Sequence, residues 1–486
     1  MSMRTHNTHS NVLAVKSFLY AGIACVAMSG VASAQTSLNP SVRVNTPLNT
    51  KAFGESSVPP LPHPEAVWED PFGWNTWLRD RGVAFLLDNR NEFAGIVGPV
   101  THSYGLRKGS SSAGQYAFEN DIDWERLAGI RGFSTHALVV GRYGIPASRM
   151  FGDNVNPSQE IYGAGGNVAV HFVYGYGEET FGHGRFDVAA GRIPFLNDFS
   201  SNPLYCNYMN NAFCGNPKAA SDNTAHSSYP DAVWAARFRL RPTTHTYIQT
   251  GVYFSQAGIY GVKQYRTGFK LNGADINGES IPVEIGWEPV FGHGTLPGHY
   301  KLGYARDTID HSDNYYDGNG RPYALTGLTP RKDHGANAAW LLVDQMLYHF
   351  DKGTPDAGVT FLGGMYYNSE RSSMRSQQYQ AGVLARGFWA ARPKDGAGLN
   401  FAYTRVSGQA ARTQELQLMQ GVLPGSLLNG SYGPQSYGMV LEANYQIHVY
   451  RGITVSPDFQ YYFHPGAQRV LRDTAVLGVW SHFELF

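Results

Sequence analysis

The chain has 486 residues, 38 Lys and Arg against 38 Asp and Glu, and only 16% of its positions are charged, where a soluble protein has about 25%. Glycine is abundant at 56 and aromatics reach 13%, yet mean hydropathy is -0.31, so the aromatics are not gathered into long apolar runs. These values exclude a helical membrane protein, which needs spans of about 20 apolar residues, a nucleic-acid binder, which needs a basic surplus, and a disordered chain, because 42% hydrophobic content can bury a core.

Residues 1–34 carry Arg4 and Lys16 but no acid, then the apolar run Phe18 to Met28, then Ala32-Ser33-Ala34 before Gln35. This pattern predicts a secretory signal peptide that is cleaved and too short to remain as an anchor. Its removal leaves 36 basic and 38 acidic side chains, and takes Cys25 with it. The remaining Cys206 and Cys214 stand eight apart in an exported chain, with no adjacent His or acidic ligand. They are expected to form a structural disulfide stapling a loop, not a metal pair. Residues 35–70, rich in Pro, Ser, Asn and Thr, predict a flexible tether on the periplasmic side.

Next, Trp74, Trp77, Leu78 and Arg81 recur at i, i+3, i+4 and i+7, predicting one short helix over 73–81 that ends at Gly82. From Val83 to Phe486 the period changes to two. In Met439–Ile447 one parity is Met, Leu, Ala, Tyr, Ile and the other holds Val440, Glu442, Asn444 and Gln446. Trp234, Ala236, Phe238 and Leu240 alternate with Arg237 and Arg239, and Leu399, Phe401 and Tyr403 with Asn400 and Thr404. Each segment therefore has an oily face and a face suited to water.

About 16 such segments begin near residues 83, 114, 131, 166, 184, 232, 246, 281, 299, 337, 358, 378, 397, 436, 452 and 474. Long connections such as 194–231, 256–280, 308–336 and 407–435 alternate with short ones such as 241–245 and 450–452. The pattern predicts an all-β fold: a transmembrane antiparallel β-barrel of about 16 strands with a short N-terminal helix, occupying residues 71–486. Sixteen strands leave an aqueous lumen, so the polar parity lines a channel. The third long connection, Pro194 to Asp231, holds the cysteines together with Asn197, Asp198, Tyr205, Asn207, Tyr208, Asn210, Asn211 and Lys218. Amides and flat rings suit a polyol, by hydrogen bonds to its hydroxyls and contact with its C–H face. The other reading of this loop is a cover over the outer mouth.

Several stretches then point one way: Gly73 to Val83, Gly191-Arg192 followed by Asn197-Asp198-Phe199, the cysteine loop Ser201 to Pro217, Ser227-Ser-Tyr-Pro230, and Leu296-Pro-Gly-His-Tyr-Lys-Leu-Gly303. Over residues 70–486 the chain resembles the carbohydrate-selective porin family of the OprB type. The resemblance implies an outer-membrane barrel through which sugars and sugar-derived solutes diffuse passively. It departs at the end, where Phe483-Glu-Leu-Phe486 puts Glu484 at a position usually apolar, leaving the closing register open by one residue.

Parity and resemblance together give the pore-lining expectation: Arg192, Arg237, Arg239 and Lys301 as a basic side, opposed by Asp198, Glu284 and Glu288. Trp287, Tyr300 and Tyr304 read as a lipid-interface girdle. No G-x-S-x-G, H-E-x-x-H or G-x-G-x-x-G with its helix occurs, so no enzyme, cofactor or metal is expected. Phe-Gly-His-Gly at 181–184 and 291–294 reads as two tight turns, and the acidic spacing of 310–320 is wrong for an EF-hand. Expected partners are small neutral sugars or polyols and outer-membrane lipid and lipopolysaccharide, with monomer and homotrimer both open. Two other functions compete: an anion or phosphate pore driven by the arginines, and a plugged barrel whose loops bind a surface partner.

Overall fold

Alternation of β-branched or aromatic residues with polar ones favours extended chain, and a sheet of such strands hides all its backbone groups from lipid only by closing on itself. The computed structural model, which describes residues 61–161, 168–214, 218–222, 225–259, 267–350 and 356–486, has that form. Its barrel strands are β1 (Val83–Ile96), β2 (Ser110–Asp123), β3 (Phe133–Gly144), β4 (Val168–Phe181), β5 (Phe186–Ile193), β6 (Val233–Thr243), β7 (Thr246–Gln256) and β8 (Ile276–Trp287). They continue as β9 (Leu296–Asp307), β10 (Asn337–His349), β11 (Gly358–Asn368), β12 (Arg375–Arg386), β13 (Gly396–Val406), β14 (Tyr437–Tyr450), β15 (Ile453–Phe463) and β16 (Thr474–Glu484). Each pairs antiparallel with its sequence neighbours, and β1 pairs with β16 from Asp88↔Glu484 to Ile96↔Val476, which closes the barrel.

The segments expected at 114 and 281 start earlier, at Ser110 and Ile276. Ser110 to Ser112 and Asn277 to Ser280 are polar, so the hydrogen-bonded ladder continues above the apolar band where the alternation no longer marks it. The open register at the end is settled by pairing. Glu484 faces the lumen opposite Asp88 and is fully buried, while Phe483 takes the outward parity opposite Asn89.

The predicted girdle residues lie on the outer wall. Trp287 and Tyr304 are about half exposed, and the Trp287 and Tyr300 rings are 5.1 Å apart. Both Phe-Gly-His-Gly stretches are tight turns at the short-connection end, with His183 and His293 each at φ 58°.

The predicted helix is α1 (Trp74–Asp80). It sits at the rim against β1, with Asn75 and Arg79 buried toward the barrel and Trp74 and Trp77 exposed. Gly82, at φ +87°, turns the chain into β1 so tightly that a Cβ there would lie 2.5 Å from the Asp123 carbonyl. The predicted signal segment 1–34 and residues 35–60 of the expected tether lie outside the described residues. Residues 61–70 follow the same rim. Val67 and Trp68 donate backbone N–H groups to the carbonyls of Glu484 and Leu485 at 2.9 and 3.0 Å, and Lys394 bonds Glu65 at 2.8 Å.

Candidate functional site

The described residues of the third long loop, between β5 and β6, fold into the lumen and cross to the far wall. The Tyr205 hydroxyl donates to the Gly363 carbonyl on β11 at 2.6 Å, and that of Tyr208 to Val383 on β12 at 2.8 Å. Burial raises both phenols above their ordinary range, so they remain donors. Asn202 donates to Asp344 on β10 at 2.7 Å, and Arg386 to Asn207 at 2.6 Å. The backbone N–H groups of Met209 and Asn210 both meet the Glu442 carboxylate of β14, at 2.5 and 2.9 Å. Cys206 and Cys214 are disulfide-bonded, their Cα atoms 4.3 Å apart. The amides and rings of this loop thus hold it to the wall.

Five of the seven residues expected to line the pore gather at the base of this loop. Arg237 donates to Glu178 and Asp187 at 2.7 Å each and to Asp198 of the loop at 3.2 Å. Asp198 also accepts from the Tyr253 hydroxyl at 2.5 Å. Arg239 donates to Gln249 at 2.8 Å, and Lys301 donates to the Ser201 carbonyl at 2.9 Å. Glu284 accepts from Trp340 at 2.6 Å, Tyr247 at 2.8 Å and the Ser200 N–H at 3.2 Å. Glu288, on the opposing acidic side, pairs with Arg241 at 2.9 Å. Arg192 stands apart. Its register partner is Trp234, so it shares the outward parity, with its guanidinium 5.8 Å from the Trp234 ring and donating to Gln256 at 2.6 Å. Being basic did not decide its side; the alternation of β5 did.

A second cluster of opposite charges faces the lumen on the first three strands. Arg90 of β1, Gln115 of β2 and Arg142 of β3 are register partners in one row across three strands, all facing inward. In front of them stands Glu160, from the second long loop, between β3 and β4, 3.7 Å from Arg90 and 3.6 Å from Arg142. Its position is fixed on both sides. The Glu160 N–H donates to the Met209 carbonyl of the third loop at 2.8 Å, and the next N–H, of Ile161, to Glu92 at 2.9 Å. The Trp480 ring lies 4.7 Å from the Arg90 guanidinium, and that of Tyr229 lies 5.3 Å from Arg142. Two inserted loops, three charges and two aromatic faces therefore meet at one level of the lumen.

Residues 107–485 match the carbohydrate-selective porin family, OprB type. The chain belongs to this carbohydrate-selective porin family. It is 28% identical over 425 residues to Porin B of Pseudomonas aeruginosa, covering 86% of this chain and 91% of that one. It is 23% identical to the putative porin QuiX of Acinetobacter baylyi, covering 76% of this chain and 82% of that one. Among solved structures, the high-pH structure of Pseudomonas putida OprB superposes with a TM-score of 0.79 at 26% identity, over 87% of this chain and 99% of that chain. The closed 16-strand barrel is thus that of an outer-membrane porin.

Arg90, Arg142 and Glu160 did not stand out in the sequence. The parity of Asp88, Arg90 and Glu92 against Phe85 and Leu87 carried a signal for the first. Glu160 carried none, because a loop has no period to read.

Proposed function

We propose that neutral sugars and sugar-derived small solutes pass by passive diffusion through the lumen at the level of the Glu160–Arg90–Arg142 cluster. The supporting observation is that trio, two guanidiniums of the wall facing a carboxylate carried by an inserted loop. At 3.6 and 3.7 Å the guanidinium–carboxylate separations exceed a direct charged hydrogen bond of about 2.7–2.9 Å. The guanidinium donors and carboxylate acceptors of the trio match the hydroxyls of a sugar, which both donate and accept. The Trp480 and Tyr229 rings back the two guanidiniums and hold them in place. No step of this passage needs a covalent intermediate or an energy source, and the protein acts as a channel.

Charge at the constriction favours neutral solutes over the anion reading. Two arginines face Glu160 and the nearby Glu92, so a free anion meets carboxylates wherever it meets guanidinium. The rim position of α1, beside β1, supports a lumen open to solute over a plugged, surface-binding barrel. The predicted signal segment supports export through the inner membrane. Planar-bilayer conductance with glucose, gluconate and phosphate as blockers tests the proposal: block by glucose supports it, and block by the anions alone refutes it.

A further inference from the structure

On the β1–β16 seam, one inward-facing step toward the short-turn end from Arg90, Asp88 and Glu484 are directly opposed register partners, with His482 beside them opposite Arg90. All three are at least 97% buried. His482 Nε2 lies 3.5 Å from Asp88 Oδ2 and 3.8 Å from Glu484 Oε2, and the three ligand atoms fall within 4.8 Å of one another.

These separations do not describe hydrogen bonds, which span about 2.7–3.2 Å. No hydrogen bond reaches His482 Nε2 or either oxygen of Asp88. Other lumen histidines contrast with this: His136 is 2.5 Å from Asp121 and His299 is 2.6 Å from Asp344. Two ligands of a tetrahedral ion, each bound at about 2.0–2.1 Å, stand about 3.3 Å apart, close to the separations seen here. Two buried carboxylates directly opposite one another repel, and a metal ion between them relieves that repulsion. Arg90 is engaged with Glu160 and the Trp480 ring, and Arg79 with Asn75 and the Pro62 carbonyl, its charge also acting on Glu484.

We propose that Asp88, His482 and Glu484 bind one divalent transition-metal ion in the lumen below the constriction. One imidazole nitrogen with two carboxylates suits Zn2+, water completing the shell, better than Ca2+ or Mg2+, which prefer oxygen ligands throughout. The folded barrel in detergent, stripped with chelator, is titrated with Zn2+ by equilibrium dialysis, with heat-modifiable migration as the check on folding. About one Zn2+ per wild-type chain is expected. His482→Gln and Asp88→Asn should each weaken binding at least about 10-fold, the loss that removing even an outer-shell partner causes. If His482→Gln does not fold, Asp88→Asn carries the test. Absence of Zn2+ binding by the wild type, or equal binding by wild type and folded variants, would overturn the proposal.

Discussion

Arg237 of β6 and Asp198 of the third loop meet at 3.2 Å, joining the barrel wall to the segment that enters the lumen. The same guanidinium holds Glu178 and Asp187, so three carboxylates converge on one fully buried cation. Replacing Arg237 with Met leaves those carboxylates facing one another in a site of low dielectric. Removing one partner of a buried ion pair costs about 3–5 kcal/mol. Urea unfolding of the detergent-solubilised barrel should show a loss of that order, with Arg237→Lys intermediate because a single ammonium cannot fork to three partners. A variant as stable as the wild type would contradict the role given to this cluster.

The loop is held beyond the cluster by its tyrosines. Tyr205→Phe and Tyr208→Phe each remove one hydrogen bond to a strand carbonyl, and each should cost about 1 kcal/mol. The double variant is expected to show larger and noisier single-channel conductance than the wild type, since the loop's far attachment is loosened. Conductance traces indistinguishable from wild type would mean that the remaining contacts suffice.

The disulfide acts mainly on the unfolded chain. Closing a separation of eight residues contributes about 2–3 kcal/mol by loop entropy. Replacing Cys206 and Cys214 with Ser should therefore lower the unfolding midpoint while leaving conductance close to wild type, because Asn207, Met209 and Asn210 still bind the wall. A wide-open pore in this variant would show that the disulfide, not the wall contacts, sets the loop's position.

Two groups of the third loop give stability a pH dependence. Burial against Phe195, with ring centroids 4.0 Å apart, lowers the pKa of His226 to about 4. An unfolded histidine titrates near 6.5, so keeping this one neutral is free above about pH 6.5, and stability is lost as pH falls toward 4, by about 3 kcal/mol. Burial raises Asp231 to about 7, and its sign is opposite: its contribution is full in acid and declines as pH rises from about 4 to 7. His226→Leu should flatten the decline in unfolding midpoint between pH 6.5 and 4. An unchanged acid slope in that variant would contradict the assignment.

The strands were legible because a membrane barrel repeats one physical demand at every second residue. The starts expected at 83, 246, 337, 358 and 474 coincide with those observed. The same rule put Arg237, Arg239 and Glu284 inside, but could not say whether they would meet solute or each other. Parity tells which side of the wall a residue faces, not what a loop will place in front of it. The third loop brings Asp198 to Arg237 and Ser200 to Glu284, occupying those residues. The second loop brings Glu160 to Arg90 and Arg142 without closing the distance. Both outcomes depend on long-range loop docking, which leaves no period in the chain. Arg192 shows the same limit within a strand, since its register opposite Trp234 sends a basic residue outward.

Neutral sugars are proposed to cross the lumen at the cluster of Glu160, Arg90 and Arg142. Single-channel conductance in planar bilayers, titrated with glucose, tests it most directly when the wild type is compared with Glu160→Ala and Arg90→Ala. Saturable block of the wild type, with the half-blocking glucose concentration raised at least about 10-fold in each variant, as loss of a charged hydrogen bond worth about 1.5–3 kcal/mol requires, is the expected result. Equal block in all three proteins, or none in the wild type, would contradict it.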